Sequence, residues 1–205
     1  IGIATNKQGC CVLQRCLEFA SVEQRVQLVA AVVACSSRLV QDPFGNYVVQ
    51  CVLEHSPNAV AAQYVVDHFA GKFLRMACNK FASNVLERII KDAPLSLRRV
   101  ILDELIFTAP NLQQLVHDGF GNFVIQVIIG TTATPNEHKK IADRLKPVLA
   151  NSPFGHKIEN KLKSKRFNNN NHGGQNQQQH MQGKQSHNHA HNPNRVPLAS
   201  LPVQA

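Results

Sequence analysis

Tryptophan is absent from this chain of 205 residues, and aromatic residues make up only 6% of it. The core must therefore be built from aliphatic side chains, which the 43% apolar content supplies. No uninterrupted apolar run approaches the roughly 20 residues that a membrane-spanning helix needs, and the opening IGIATNKQG is not a signal peptide. Six cysteines (Cys10, Cys11, Cys16, Cys35, Cys51 and Cys78) include no CxxC pair. That spacing argues against a zinc site or a disulfide framework and for buried free thiols in a reducing compartment. Nucleophile–base spacings, glycine-rich phosphate loops and HExxH are missing too, and His55, His68, His117 and His138 are scattered singly. His117 beside Asp118 is the nearest thing to a pair, and a helix end at a repeat junction accounts for it. The chain reads as a soluble, cytoplasmic, non-catalytic protein with no cofactor. It starts without Met and inside a pattern, as a fragment of a longer protein would.

Acidic residues are missing from one region altogether. Residues 167–205 contain Lys184, Arg195 and no acid, whereas residues 1–166 carry 20 Lys and Arg against 13 Asp and Glu. The last 39 residues are Asn-, Gln-, His- and Gly-rich and too poor in branched apolar residues to offset the entropy of ordering, so they are expected to be a disordered tail. The HNHAH run (His187 to His191) reads as part of that polar tract rather than as a metal site. A basic folded part, residues 1–166, admits a polyanionic partner without demanding one.

Within residues 1–166, strand-like alternation is nearly absent and helical periodicity is everywhere, so the fold class is all-α. Ser21 with Gln24 makes a capping box ahead of Val22, Val26, Val29 and Val33. Ser56 is a candidate cap with Pro57 at the first helical position, and SLRRVILDEL and NEHKKIADRLKPVL follow the same recipe. Five related segments stand out: QGCCVLQRCLE, FGNYVVQCVLE, FASNVLERIIK, FGNFVIQVIIG and FGHKIENKLKS. Counted from the residue after the Gly or Ala, they start at 10, 46, 83, 122 and 156, at intervals of 36, 37, 39 and 34 residues. A long and a short helical segment lie between copies, so each unit is about three helices with one small apolar face. Such units must stack into a solenoid. The uneven intervals suggest surface-loop insertions, the largest near residues 106–111.

Each segment separates an apolar stripe from a polar pair. In the second copy Val48, Val49, Val52 and Leu53 form the stripe, while Asn46 and Gln50, four apart, share another face about 6 Å from each other. One such pair on one helix is an ordinary solvated face. Polar or small residues recur at the same two places in four successive units: Cys10/Gln14, Asn46/Gln50, Ser83/Glu87 and Asn122/Gln126. The intervening places hold Cys11, Tyr47, Asn84 and Phe123. A periodic partner with one flat element per unit fits, and single-stranded nucleic acid is such a partner. Tyr47 and Phe123 would stack on bases, worth about 1–3 kcal/mol each. The Asn46 and Gln50 amides can match the acceptor–donor–acceptor edge of uracil. Glu87 only accepts, which suits the paired N–H donors of guanine.

These segments, FGNYVVQ, FASNVLE and FGNFVIQ above all, resemble the Pumilio/PUF family of RNA-binding proteins over roughly residues 1–166. The resemblance implies a right-handed α-solenoid of stacked three-helix repeats, a crescent whose concave face binds single-stranded RNA with one base per unit. It implies four repeats followed by a C-terminal capping unit, since His156, Lys157 and Asn160 depart from the reading pattern. By the family's correspondence, with RNA antiparallel to the protein, Asn122/Gln126 reads U, Ser83/Glu87 reads G, Asn46/Gln50 reads U and Cys10/Gln14 reads A. The implied core is 5′-UGUA-3′. Cys11 stands where many relatives place Arg, as in some fungal-type members, and with the Asn/Gln-rich tail it favours that type. Such proteins are monomers that bind 3′ untranslated regions of messenger RNA. They recruit deadenylase or translational-repressor proteins on the outer face, partly through a loop that here would include Leu105 to Leu112. A helical-repeat scaffold binding only proteins, as armadillo or HEAT repeats do, explains the stacking but not the ordered pairs. A nucleolar relative without base choice would lack those pairs.

Overall fold

A helix that buries only one narrow stripe is stable only against neighbours that bury theirs, and the repeated stripes are arranged to meet. The structure, a computed structural model, describes residues 1–56, 59–110, 112–165 and 167. Pro57, Asn111 and the expected tail beyond residue 167 lie outside them. Among the described residues there are twelve α-helices and no strand. In chain order they are α1 (Lys7–Phe19), α2 (Val22–Ala34), α3 (Ser36–Leu39), α4 (Gly45–His55), α5 (Val60–Phe69) and α6 (Phe73–Ala77). There follow α7 (Ala82–Asp92), α8 (Leu95–Leu102), α9 (Leu112–His117), α10 (Gly121–Thr131), α11 (Pro135–Leu149) and α12 (Gly155–Ser164). The repeated segments are α1, α4, α7, α10 and α12, each packed on the next to form one row. A second layer runs α2 on α5 and α5 on α8, and the short helices α3, α6 and α9 pack on the row helix that follows each. This is the expected all-α solenoid of stacked units. The last unit has two helices, because α11 runs to Leu149 with Pro147 inside it and a turn leads to α12.

The row is held by the stripes. Val85, Leu86, Ile89 and Ile90 of α7 are buried, as are Val124, Ile125, Ile128 and Ile129 of α10 at the same offsets. Burying each such side chain contributes about 1.5–3 kcal/mol. What sets the offset is a device at each helix start that sequence reasoning overlooked. Asn6 Oδ1 accepts from the N–H groups of Gln8 and Gly9, both at 3.0 Å. Asp42 Oδ1 accepts from Phe44 and Gly45 at 2.8 and 2.7 Å, and Asn79 Oδ1 from Phe81 and Ala82 at 2.9 Å each. Asp118 Oδ1 accepts from Phe120 and Gly121 at 2.8 Å each, and Ser152 Oγ from Phe154 at 3.1 Å. Each cap stands four residues before the first reading place. Next to it, a Cβ on Gly45 or Gly121 would lie 2.9 or 2.7 Å from the carbonyl oxygen of Leu39 or Leu115. At these two starts the helix thus presses on the backbone of the preceding short helix, which is why the position is Gly.

Several local expectations need correction. The Ser21–Gln24 capping box forms, with both reciprocal bonds made, but Val22 and Val26 are 74% and 55% exposed while Val29 and Val32 are buried. No described element covers the first turns of α2, so its stripe is buried only toward its C-terminal end. α5 runs from Val60, after Ala59 in a left-handed conformation, and the Ser56 hydroxyl accepts from Ala61 N–H at 3.1 Å. α8 starts at Leu95, behind Pro94, and Thr134 rather than Asn136 caps α11 by accepting from Glu137 N–H. Part of the segment expected as a loop is helical: residues Asp103–Phe107 continue α8 as a π-helical turn, while Thr108 to Pro110 lie outside any helix. A π turn takes in one additional residue without breaking the helix, and Glu104 on it accepts from Gly71 and Phe73 N–H at 2.6 and 2.7 Å. Leu105, Ile106 and Leu112, expected in a docking loop, are therefore core residues. The cysteines are all unbridged, but Cys10 and Cys51 alone are buried and Cys16 is exposed, so the expectation of uniformly buried thiols does not hold. His117 does sit at a junction, its Nε2 3.0 Å from the Asn151 carbonyl of the last unit. Among the described residues, no helix is long and apolar enough to cross a membrane.

Replacing Asp42 by Ala should lower stability by about 1 kcal/mol in urea unfolding, by the loss of a helix-start acceptor. Asp42→Asn should cost much less, because Asn6 and Asn79 do the same work. Equal stability of wild type and Asp42→Ala would show that the device is dispensable.

Candidate nucleic-acid interface

A polar side chain beside an apolar stripe either reaches solvent or finds a partner, and in this row it finds one in the same helix. Gln50 Nε2 donates to Asn46 Oδ1 at 3.1 Å, and Gln126 Nε2 donates to Asn122 Oδ1 at 3.0 Å. Asn46 Nδ2 in turn donates to the carbonyls of Asp42 and Pro43 at 2.9 and 3.1 Å. Asn122 Nδ2 does the same with Asp118 and Gly119 at 3.1 and 2.8 Å. The second and fourth units thus repeat one network, from helix-start residue through Asn to Gln. In the first unit Cys10 Sγ donates to the Lys7 carbonyl at 3.1 Å and Gln14 Nε2 to the Cys10 carbonyl at 3.2 Å. Burial, then the neighbouring Cys11, pushes the Cys10 thiol up to about 11, so it stays a neutral S–H. In the third unit Ser83 Oγ donates to the Lys80 carbonyl at 3.4 Å, and Lys91 Nζ lies 3.4 Å from Glu87 Oε2.

The expectation that both members of each pair face outward is corrected by their burial. Asn46 and Asn122 are 0% exposed, Ser83 2%, Gln50 3% and Glu87 7%, and Cys10 is fully covered. Close packing of adjacent row helices leaves no room for the first member of a pair to stand clear. Gln14 and Gln126 are half-buried, as are the intervening residues Cys11, Tyr47, Asn84 and Phe123. Gln14, Gln126 and the four intervening residues therefore form the accessible rim, with the first members, Gln50 and Glu87 beneath it. Because the buried stripes have the same phase in α4, α7 and α10, the pairs of these helices lie on one face of the row. Arg88 of α7 reaches Glu54 of α4 at 3.5 Å and also pairs with Asp92, tying neighbouring units beside that face. Lys91 is a charged neighbour of Glu87 that the pairing pattern did not include; its place four residues after Glu87 was the available signal.

The model of the Pumilio-family RNA binding repeat matches residues 1–33, 37–66 and 72–106. A Pumilio domain-containing protein of Schizosaccharomyces pombe is 37% identical over 166 residues, covering 79% of this chain and 24% of that protein. The chain belongs to the Pumilio family. Pumilio homolog 7 of Arabidopsis thaliana is 38% identical over 159 residues, covering 76% of this chain and 24% of its own length. Among solved structures, the Puf4 RNA binding domain bound to an HO endonuclease RNA 3′ UTR recognition sequence superposes with a TM-score of 0.70 at 31% identity, over 78% of this chain and 52% of that one. The chain thus spans about a quarter of the curated Pumilio relatives and half of that solved domain. Similarity extends to yeast and plant members alike, so it does not single out the fungal type.

If the amide ladder supports the Pumilio row as drawn, Gln50→Ala should destabilise the chain by about 1–3 kcal/mol, because it strips the donor from a fully buried Asn46 oxygen. Gln14→Ala should cost less, since Gln14 donates to a backbone carbonyl already within α1. Thermal or urea unfolding of both variants measures the difference; equal losses would deny the ladder a supporting role.

Proposed function

We propose that this chain binds single-stranded RNA with base selectivity and reads 5′-UGUA-3′ through α10, α7, α4 and α1 in that order. The observation that carries this reading is the recurrence of ordered side-chain pairs on one face of a row of stacked helices. Asn122 with Gln126 and Asn46 with Gln50 would each take uracil, the carboxylate of Glu87 with Ser83 guanine, and Gln14 with Cys10 adenine. Tyr47 and Phe123 would stack between successive bases, with Asn84 and Cys11 at the equivalent places in the other two units. In the RNA-free chain the glutamine amides close on the asparagines. Base binding exchanges that contact for one to the base edge, on a scaffold that needs no reorganisation of helices. At Glu87 the Lys91 ammonium balances a nearly buried carboxylate until a base with two N–H donors replaces it.

Residues 1–166 would then be four reading repeats and a C-terminal flanking unit of a larger domain, acting as a monomer on 3′ untranslated regions in the cytoplasm. Deadenylase or translational-repressor proteins would dock on the outer layer, where Val60, Tyr64, Leu95 and Val100 are exposed. The solved Puf4 domain, with its bound 3′ UTR RNA, supports the choice of ligand.

Binding of UGUA and ACAA oligonucleotides at the same moderate salt is the first check, because a basic protein binds any RNA at low salt. UGUA should bind more tightly, and equal affinities would reject base reading. Exchanging Ser83→Asn together with Glu87→Gln should move the preference at the second base from G to U. An unaltered preference would refute that assignment alone.

A further inference from the structure

Resting on the assignment of guanine to α7, we propose that Lys91 is a specificity-determining residue: its ammonium keeps the Glu87 carboxylate an acceptor-only group and so discriminates against adenine at the second base. The place four residues past the second member of each pair differs from unit to unit. Gln14 is followed there by Glu18, Gln50 by Glu54, Glu87 by Lys91 and Gln126 by Gly130. The two acids accompany neutral amides, and the cation accompanies the carboxylate. Lys91 Nζ stands 3.4 Å from Glu87 Oε2, with the lysine side chain 34% exposed and the glutamate 9%. Glu18 and Glu54 are exposed and turn to arginines instead, to Arg15 at 2.9 Å and to Arg88 at 3.5 Å. Arg88 also pairs with Asp92, so the cation next to Glu87 in the sequence is committed elsewhere.

A carboxyl group can present either of two edges to a base. Ionised, it accepts on both oxygens, which suits the N1–H and N2–H donors of guanine; neutral, it offers one O–H beside one acceptor oxygen. That neutral edge matches adenine, whose N1 accepts and whose N6 amino group donates. Guanine selectivity therefore needs the charged form. Withdrawal from solvent favours the neutral form of a carboxyl, and a nearby cation favours the ionised one. Glu87 has little solvent around it, and Lys91 supplies the cation. The helix itself fixes their separation, since side chains four apart lie on one face. With a third of its side chain exposed, Lys91 can yield Oε2 to an arriving guanine and still keep its charge close by. An acid at this place, as in α1 and α4, would favour the neutral edge.

Affinities of the full chain for UGUA and UAUA, measured by fluorescence anisotropy at one moderate salt, test this. Lys91→Met should lower the preference for G over A about fivefold, the margin between a hydrogen bond to a charged and to a neutral group. Preferences at the first, third and fourth bases should not move. Lys91→Arg should restore the second-base preference, because it returns the charge. In the Ser83→Asn, Glu87→Gln background, Lys91→Met should change no base preference, since no carboxylate is left for it to hold. A thermal melt checks folding, and Lys91→Gln, neutral but polar, takes the place of the Met variant if that one does not fold. Weakening of UGUA and UAUA by the same factor would show a structural role and overturn the inference, as would an undiminished preference for G. If the unmodified chain prefers UGUA to ACAA yet Lys91→Met keeps G over A, this inference alone fails; without that preference, the RNA reading fails and takes it along.

Discussion

One short contact governs the whole arrangement: a side-chain oxygen that takes one or two backbone N–H groups at the start of every row helix. Asn6, Asp42, Asn79 and Asp118 do this with a carbonyl or carboxylate oxygen, and Ser152 takes one N–H with a hydroxyl. Fixing where a helix starts also fixes its phase about its own axis. That phase decides which residues meet the neighbouring unit and which meet the open face. A start displaced by one residue would rotate every later side chain by about 100°. The paired residues would then leave their common face and the aliphatic stripe would turn toward solvent. The small residue beside the cap belongs to the same constraint, since it lets the helix start press on the preceding short helix.

The same contact reaches the candidate interface through hydrogen bonds. Asp42 caps α4 with its side chain and accepts from Asn46 with its carbonyl, and Asn46 in turn accepts from Gln50. Asp118, Asn122 and Gln126 repeat the chain in α10. The glutamine is thus held by a buried polar network whose members satisfy one another. Such a network restricts the side chain to one orientation. In the third unit an ion pair with Lys91 stands in for the amide contact, as the chemistry of a carboxylate requires.

Neighbouring units differ most where they join. Glu104, on the π-helical turn, caps α6 of the preceding unit, and His117 and Ser152 join α9 to the turn before α12. Such contacts bridge residues 31 to 36 positions apart, close to one repeat. A solenoid lacks contacts between distant units, so these junctions carry the transmission of order along it.

Much of this was legible in the chain itself. The five segments, their spacing, the apolar stripe of each, the Ser21–Gln24 box and the identity of the paired residues follow from periodicity and local hydrogen-bonding chemistry, which depend on near neighbours in the sequence. Exposure did not follow. Val22 and Val26 satisfy the same helical pattern as Val29 and yet stand in solvent, while Asn46 and Asn122 are polar and yet wholly covered, because burial depends on what another unit places opposite. The π-helical turn at Asp103–Phe107 was hidden for the same reason: its extra residue is stabilised by contacts to α6 and α11. Local sequence determined which side chains recur and at what phase; tertiary packing alone decided which of them are left open to a ligand, since solvent access is a property of the assembled row and not of any one helix.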